Sequence, residues 1–256
     1  DELRELSESL NSMSDRIRQQ IEDLELLLGA MAHEMKTPLT NIMGYADSLL
    51  HVRLGERQRE QSLEAIVRSA GRLNQMSGKL LQLIGLYENQ EIERRTVDLE
   101  EVMECVCEEN REGLTEKNID FEIQKSDGPQ KQAMSVEGDP LLLLSLFGNL
   151  VSNSVKAVEE GGRIQVRMDR RRRSVCVRDD GRGIPPGDLP HVTKAFYMVD
   201  KSRSRRQQGS GLGLALAERI VRAHGGKMEI ESRLGEGTEV TVTFEPGAGE
   251  LDRSDV

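Results

Sequence analysis

The sequence predicts two architectures in one chain: a dimeric coiled coil with a helical-hairpin four-helix bundle, followed by an α/β sandwich. Apolar residues follow heptad spacing between Leu3 and Tyr87, whereas strand-like and helix-like segments alternate from about Glu93. Charged residues make up 31% of the 256 residues and aromatic residues only 3%. This composition favours long charged helices over a thick β-sandwich.

The first segment reads as one long helix with a coiled-coil seam. Its apolar residues recur at steps of three and four, with two consecutive fours around Ile17, which indicates a stutter between two coiled-coil segments. A helix packed on its own domain would need a partner surface that the acidic N-terminal sequence does not supply, so we expect a parallel homodimer. The seam consists of Leu3, Leu6, Leu10, Met13, Ile17, Ile21, Leu24, Leu28, Met31 and Met35.

A helical hairpin follows the seam. Pro38 cannot donate to the helical ladder, so we expect a bend there. The pattern resumes through Leu49, breaks near His51 to Gly55, and continues in a second heptad run that ends at Tyr87. Two such hairpins close a four-helix bundle, with His33 on its outside.

His33 is the first candidate for chemistry, in the run His33-Glu34-Met35-Lys36-Thr37-Pro38. A zinc protease motif would need a second histidine where Thr37 stands, so that interpretation fails. The imidazole of His33 could accept a phosphoryl group, with Glu34 taking the ring proton and Thr37 one turn away on the same helical face. The alternative is an ordinary helical histidine that faces solvent.

The second half of the chain predicts the strands and helices of a mixed sheet with helices on one face. Asp139 is a predicted N-cap with Pro140 in the first turn, and Gly225 a predicted helix stop. Residues 247–256 form a polar tail that we expect to be disordered. The predicted strands are near Thr96 and Val97, Ile119 to Gln124, Gln132 to Val136, Arg163 to Arg170, Ser174 to Arg178, Lys227 to Arg233 and Glu239 to Phe244, and the helices are Leu99 to Glu116, Asp139 to about Glu159 and Gly211 to Ala223.

Three short motifs in this half are candidates for a nucleotide site. Asn149 and Asn153 lie at i and i+4 on one helix face, with Lys156 a turn further. The segment from Asp179 to Gly183 follows a strand, where glycines would let backbone approach a flat ligand, although an ordinary turn explains it equally well. The segment from Gly209 to Gly213 opens a helix, where free N–H groups favour phosphate. A Rossmann motif would need a strand before these glycines, and the stretch from Arg203 to Gln208 is not strand-like. A Walker motif would need a lysine that this segment lacks.

Charge and cysteine content indicate which class of partner and which cellular compartment to expect. The net charge of -10 argues against nucleic acid, and the basic run from Arg170 to Arg173 is best explained as a solvated hairpin turn. Cys105, Cys107 and Cys176 form no CxxC pair, which is consistent with reduced thiols in a cytoplasmic protein. The sequence has no apolar run of about 20 residues and no signal peptide. Because it opens inside a helical pattern, we expect a piece of a longer protein.

Taken in order, these motifs resemble the cytoplasmic part of a two-component sensor histidine kinase. Residues 1–24 are similar to the last helix of a HAMP signalling module, residues 25–92 to a dimerisation and histidine phosphotransfer hairpin, and residues 93–246 to a catalytic domain of the GHKL type with the Bergerat ATP-binding fold. The matching motifs are an H box at His33 to Leu39, an N box at Asn149 to Asn153, a G1 box at Asp179 to Gly183, an F box at Phe196, a G2 box at Gly209 to Gly213, and Gly237-Thr238.

The resemblance implies a site for ATP and Mg²⁺. Asp179 would accept a hydrogen bond from the adenine amino group, Asn149 and Asn153 would hold Mg²⁺ and phosphates, and Lys156 would reach phosphate oxygens. Ser154 departs from the family, which commonly has alanine there. The other implied nucleotide-binding residues are Gly181, Gly183, Gly209, Gly211, Leu212, Gly213 and Thr238, with Arg203 and Arg205 on a mobile lid.

The resemblance also implies the reaction and the partners. His33 would be phosphorylated from ATP and pass the group to an aspartate of a response regulator, and Thr37 would serve dephosphorylation of that regulator. A gyrase- or chaperone-type ATPase is the alternative enzyme, but its general base is a glutamate where this chain has Asn149. A non-catalytic dimeric scaffold is the third possibility. The parent would be a membrane receptor, with this soluble piece on the cytoplasmic side of the membrane.

Overall fold

The structure is a computed structural model that describes residues 2–87, 92–125, 134–199 and 210–245. The chain divides into two compact units, residues 1–81 and residues 82–256. Within the described residues, no helix has both the length and the apolar composition needed to cross a membrane.

The first unit is a helical hairpin. Helix α1 (Glu2–His51) has 50 residues and continues as one helix through Pro38. Helix α2 (Glu56–Tyr87) has 32 residues and extends beyond this unit. The predicted break between the helices is confirmed: the amide of Gly55 donates to the side-chain oxygen of Gln58 (3.3 Å), which satisfies an N–H at the start of α2.

The hairpin buries part of its apolar surface. Leu27, Met76 and Leu80 are at most 4% exposed, and Pro38 is buried as well. Met43 and Val67, in contrast, are 64% and 70% exposed. A single hairpin therefore leaves apolar side chains on its surface, and the dimer that would cover them stays a prediction.

The second unit is built on a mixed sheet, as predicted. Its five strands follow the order β2-β4-β5-β7-β6, in which β2 and β4 are parallel and the other pairs are antiparallel. Strands β1 and β3 form a separate antiparallel pair. The strands are β1 (Arg95–Asp98), β2 (Asp120–Lys125), β3 (Ser135–Gly138), β4 (Arg163–Asp169), β5 (Ser174–Asp179), β6 (Lys227–Arg233) and β7 (Gly237–Thr243).

The helices of this unit pack on the apolar face of the sheet. Alternate residues of β4, such as Ile164 and Val166, are buried. Val177 of β5 is buried as well, and so are Leu146 and Leu216 of the covering helices. The helices are α3 (Leu99–Glu109), α4 (Arg111–Glu116), α5 (Pro140–Ala157) and α6 (Gly213–Ala223), and Leu189–His191 forms one 3₁₀ turn. The three cysteines are unpaired thiols.

Several predicted boundaries are wrong for local reasons. The helix predicted from Leu99 to Glu116 is divided at Asn110, whose side-chain amide donates to the carbonyl of Val106 (2.8 Å) and ends α3. The helix predicted from Gly211 starts two residues later because Gly211 has φ +68°. The strand predicted from Gln132 to Val136 is found at Ser135–Gly138, and its first predicted residues lie outside the described ones.

Helix α5 is fixed at both ends. The carboxylate of Asp139 accepts the amides of Leu141 (2.8 Å) and Leu142 (3.2 Å), which confirms the predicted N-cap. At the other end, the Lys117 ammonium donates to the carbonyls of Val155 (2.6 Å) and Val158 (2.8 Å). These carbonyls belong to the group that a helix terminus leaves without intrahelical partners.

His224 joins the end of α6 to the start of α5. It is 6% exposed, its Nδ1 lies 2.7 Å from the carbonyl of Ile220, and its Nε2 accepts the amide of Asp139 (3.1 Å). This pattern requires a neutral imidazole, because a protonated ring cannot accept at Nε2. Burial lowers the pKa of His224 accordingly.

We expect His224 to make the stability of the second unit depend on pH. Its contribution is complete above the unfolded-state pKa of about 6.5 and is lost as the pH falls toward the lowered pKa of the folded state. Replacement His224→Gln keeps a side-chain acceptor but does not titrate. Urea unfolding at about pH 5.5 and 7.5 should therefore show a smaller difference in unfolding free energy for His224→Gln than for the wild type. The control His191→Gln should behave as the wild type, and equal pH dependence in all three proteins would contradict this role.

Candidate functional site

Asp179 ends strand β5 with a buried carboxylate that is held by three elements. Its Oδ2 accepts the hydroxyl of Ser154 on α5 (2.8 Å), and its Oδ1 accepts the amides of Gly181 (3.0 Å) and of Thr238 on β7 (3.2 Å). The residue is 5% exposed. Burial raises the pKa of Asp179, while these three hydrogen bonds lower it.

The glycines around Asp179 allow close packing of backbone on backbone. Gly183 has φ +68°, and an added Cβ would overlap the carbonyl oxygen of Arg233. Gly237 has φ +106°, and its Cβ would overlap the carbonyl oxygen of Asp179. At Gly181 an added Cβ would lie 2.8 Å from the carbonyl oxygen of Ala157. For Gly181 and Gly183 the sequence predicts the approach of a flat ligand, whereas the groups found close to them belong to the protein itself.

Helix α5 brings the two N-box asparagines together with the start of α6. Asn149 is buried, and its amide nitrogen donates to the carbonyl of Ser145 (2.8 Å), which fixes the orientation of the carboxamide. An added Cβ at Gly213 would lie 3.3 Å from Oδ1 of Asn149 and 3.4 Å from Nδ2 of Asn153. The first residue of α6 therefore lies beside both carboxamides and has no side chain that would crowd them.

The N-terminus of α6 offers backbone N–H groups beside these carboxamides. Among the described residues no side chain caps it, and the N-cap is Leu212. Uncapped N–H groups and the positive end of the helix dipole favour an anion such as phosphate. The carbonyl of Gly211 accepts the amide of Phe196 (2.8 Å), which fixes the segment before α6. Phe196 is buried and has φ +63°. The F box and the G2 box are thus adjacent.

Lys156 lies on the last turn of α5 and is partly buried. Burial lowers the pKa of its ammonium group, and no described residue forms an ion pair or hydrogen bond with it. A desolvated cation gains from a nearby anion, which suits a phosphate contact. The other predicted phosphate ligands, Arg203, Arg205 and Gly209, lie outside the described residues.

The phosphoacceptor candidate lies in the first unit on α1. His33 is exposed, whereas Thr37 is partly buried. The carboxylate of Glu34 lies 3.7 Å from the guanidinium of Arg72 on α2, and both side chains are largely buried, at 21% and 13% exposure. This ion pair fixes the side chain of Glu34, which is the residue that follows His33 in the sequence.

Sequence reasoning missed three residues of these sites. Arg72 gave no signal because its partner lies on another helix. Ser154 was noticed only as a departure from alanine. Ser232 on β6 accepts the amide of Ile184 (2.8 Å) and donates to the carbonyl of Gly237 (2.8 Å), which links the G1 loop to the β6–β7 turn. No sequence pattern indicated that link.

Two family models match the chain over the regions just described. The model of the His Kinase A (phospho-acceptor) domain matches residues 24–84, which include His33. The model of the histidine kinase-, DNA gyrase B- and HSP90-like ATPase matches residues 138–248, which include the N, G1, F and G2 boxes. The chain belongs to the sensor histidine kinase family.

A sensor histidine kinase of known sequence agrees with this assignment. The sensor histidine kinase YkoH of Bacillus subtilis is 30% identical over 247 residues, which are 95% of this chain and 52% of that protein. The chain therefore spans about half the length of this curated relative.

Two solved structures confirm the predicted fold of helices followed by an α/β domain. Histidine kinase ThkA, in complex with the response regulator protein TrrA, is 22% identical with a TM-score of 0.68 over 89% of this chain and 64% of that one. Full-length ShkA in complex with AMPPNP is 24% identical with a TM-score of 0.59 over 87% of this chain and 47% of that one. At these identities the likeness concerns the fold alone.

Gly183 gives a direct test of the close packing in the second unit. Gly183→Ala should destabilise the second unit by about 3 kcal/mol or more, because the new Cβ meets the carbonyl of Arg233 in a left-handed backbone conformation. Gly187→Ala, where an added Cβ meets nothing within 4 Å, should change the unfolding free energy by less than about 1 kcal/mol. Chemical denaturation of both variants measures the difference. Equal stabilities would contradict the packing described for the G1 loop.

Proposed function

We propose that this chain is the kinase region of a sensor histidine kinase, an ATP-dependent protein-histidine kinase that phosphorylates His33 and passes the phosphoryl group to an aspartate of a response regulator. The observation that carries the proposal is the convergence of Asn149, Asn153 and the uncapped start of α6. The buried Asp179 carboxylate in the same unit adds a group suited to a purine amino group. Sensor histidine kinase relatives support the same activity.

In this proposal the second unit binds ATP. Asp179 accepts a hydrogen bond from the adenine amino group, and Lys156, with Arg203 and Arg205, contacts the phosphates. The N–H groups that open α6, at Gly211, Leu212 and Gly213, receive phosphate oxygens. Full-length ShkA, which has a similar fold, is in complex with AMPPNP, and this supports the proposed nucleotide binding.

Mg²⁺ is part of the proposal, with Asn149 and Asn153 as its protein ligands. Carboxamide oxygens are hard ligands that suit Mg²⁺, which usually takes few protein ligands and completes its shell with phosphate and water. The space that Gly213 leaves beside both side chains is consistent with an ion held there. The ion would neutralise phosphate charge during transfer.

His33 is the proposed nucleophile, and its exposure supports this role. A neutral ring nitrogen forms a bond to the γ-phosphorus while the bond from that phosphorus to the ADP oxygen breaks. Glu34 accepts the proton from the other ring nitrogen, so that the phosphorylated ring is left uncharged. The ion pair with Arg72 keeps the Glu34 carboxylate oriented. The phosphoryl group then passes from His33 to the aspartate of the regulator.

The two alternative functions, an ATPase and a non-catalytic scaffold, fit these residues less well. A gyrase- or chaperone-type ATPase needs a general base for water, and Asn149 has no basic carboxylate. A scaffold without activity would not need a buried aspartate or an uncapped helix start facing two carboxamides. Nucleotide binding without label on His33 would favour the ATPase, and lack of nucleotide binding would favour the scaffold.

The proposal includes the assembly and the partner. A homodimer would cover the apolar side chains left exposed on the hairpin. The proposed domains are a HAMP-like helix at residues 1–24, a dimerisation and phosphotransfer hairpin at residues 25–92 and a catalytic ATP-binding domain at residues 93–246. The ThkA complex supports a response regulator as partner. The proposed parent is a membrane receptor with its kinase region on the cytoplasmic side.

His33→Gln tests the phosphoacceptor. The variant should lose all incorporation of label from γ-labelled ATP and Mg²⁺, while its ADP affinity stays within about twofold of the wild type because nucleotide binding belongs to the other unit. His51→Gln, which alters an exposed histidine at the end of α1, should be labelled normally. Label that persists on His33→Gln, or that survives acid treatment, would contradict phosphohistidine at this position.

Thr37→Ala tests regulator dephosphorylation. It should keep autophosphorylation but slow loss of label from the phosphorylated regulator by roughly tenfold or more, because the hydroxyl that orients the attacking water is gone. Thr40→Ala, an exposed threonine on the same helix, is the control. Equal dephosphorylation rates in all proteins would remove Thr37 from the reaction, and a parallel loss of both activities in Thr37→Ala would indicate a disturbed helix instead.

A further inference from the structure

Ser154 makes a contact with Asp179 that the family resemblance does not explain. Both residues are 5% exposed, and the Ser154 hydroxyl donates to Oδ2 of Asp179 at 2.8 Å. An alanine at this position would have no donor. The hydroxyl of Ser154 is therefore an additional hydrogen-bond donor to the carboxylate that is proposed to bind the base.

The acceptor positions of the Asp179 carboxylate can be counted. An ionised carboxylate offers about four lone-pair positions, two on each oxygen. Oδ1 accepts the amides of Gly181 and Thr238, so both of its positions are filled. Oδ2 accepts the hydroxyl of Ser154, so one of its two positions is filled. The described contacts leave a single acceptor position, which lies on Oδ2.

We propose that Ser154 is a specificity-determining positioning residue, which fixes the Asp179 carboxylate so that its one remaining acceptor position selects a purine with an amino group over a purine with a carbonyl oxygen. This inference rests on the proposed nucleotide-binding function. A rigid acceptor forms a hydrogen bond with the amino group of adenine. The same acceptor repels the carbonyl oxygen that guanine presents at the equivalent position.

Ser154 also affects the selection between purines through the ionisation of Asp179. Burial and the neighbouring carboxylate of Asp180 raise the pKa of Asp179, and the hydrogen bond from Ser154 is the largest of the effects that lower it. Without that hydroxyl, Asp179 would take up a proton at a higher pH. A protonated carboxyl can donate a hydrogen bond, so it would accept a carbonyl-bearing purine and lose its preference for adenine.

The test is calorimetry of ADP and GDP binding to the whole chain between about pH 5.5 and 8. Ser154→Ala should weaken ADP binding by roughly three- to tenfold at neutral pH, since it removes one hydrogen bond to a charged group without removing a ligand contact. Its ADP affinity should also begin to fall at a higher pH than in the wild type, and its preference for ADP over GDP should decrease. Ser154→Cys, with a weaker donor, should give intermediate values.

Ser174→Ala is the matched control, because Ser174 is a buried serine at the opposite end of strand β5. It should leave the ADP affinity, its pH dependence and the preference over GDP unchanged. A uniform loss of affinity in Ser154→Ala, with the wild-type pH dependence and the wild-type preference, would reduce Ser154 to a packing role and overturn the proposal.

A double-mutant cycle with Asp179→Asn separates the two residues. If Ser154 acts through the carboxylate, Ser154→Ala should have no further effect on ADP affinity in the Asp179→Asn background. Additive losses would overturn the proposal. A wild-type chain that fails to bind ADP would contradict the proposed function itself, whereas normal ADP binding with no response to Ser154→Ala contradicts only the role of Ser154.

Discussion

A buried carboxylate imposes strict demands on its surroundings, and Asp179 imposes them on three elements at once. Removing an ionised group from water is strongly unfavourable unless hydrogen bonds replace the lost hydration. Here the replacement comes from a hydroxyl on α5, an amide in the loop after β5 and an amide at the start of β7. The spacing of the helix, the loop and the strand is therefore set by the length of a hydrogen bond. The neighbouring positive-φ glycines follow from this, because only a residue without Cβ permits such close backbone approach.

The helical unit meets different demands. The proposed phosphoacceptor, His33, would have to be reached by more than one partner, which requires exposure. The rest of its helix has to stay rigid without a sheet to support it. Burial of Pro38 and the ion pair between Glu34 and Arg72 supply anchors close to the exposed histidine. In this proposal His33 supplies the reactivity, and its neighbours Glu34 and Pro38 on the same helix supply the rigidity.

Local signals in the sequence were enough to predict most elements. Asp139 with Pro140, and Gly225 after α6, mark helix ends through chemistry that involves only a few adjacent residues. Asn110 escaped prediction because an asparagine inside a charged helical pattern gives little sign that its amide will bond to Val106 and end the helix. The motifs identified Asp179, Asn149 and Asn153 as a set, but the contacts of Ser154, Arg72 and Ser232 join residues that are far apart in the sequence. Such pairs depend on the finished packing, and a linear pattern does not contain them.

The ammonium group of Lys117 at the end of α5 has an electrostatic consequence for the whole site. The last carbonyls of a helix carry roughly half a negative charge, which would repel any polyanion near the final turn. Lys117 binds two of these carbonyls, at Val155 and Val158, on either side of Lys156. Its charge offsets the negative pole of α5, so the field around Lys156 is more favourable to phosphate than the helix alone would make it. Lys117, 39 positions earlier in the chain than Lys156, would thus help an acidic protein to bind the proposed nucleotide.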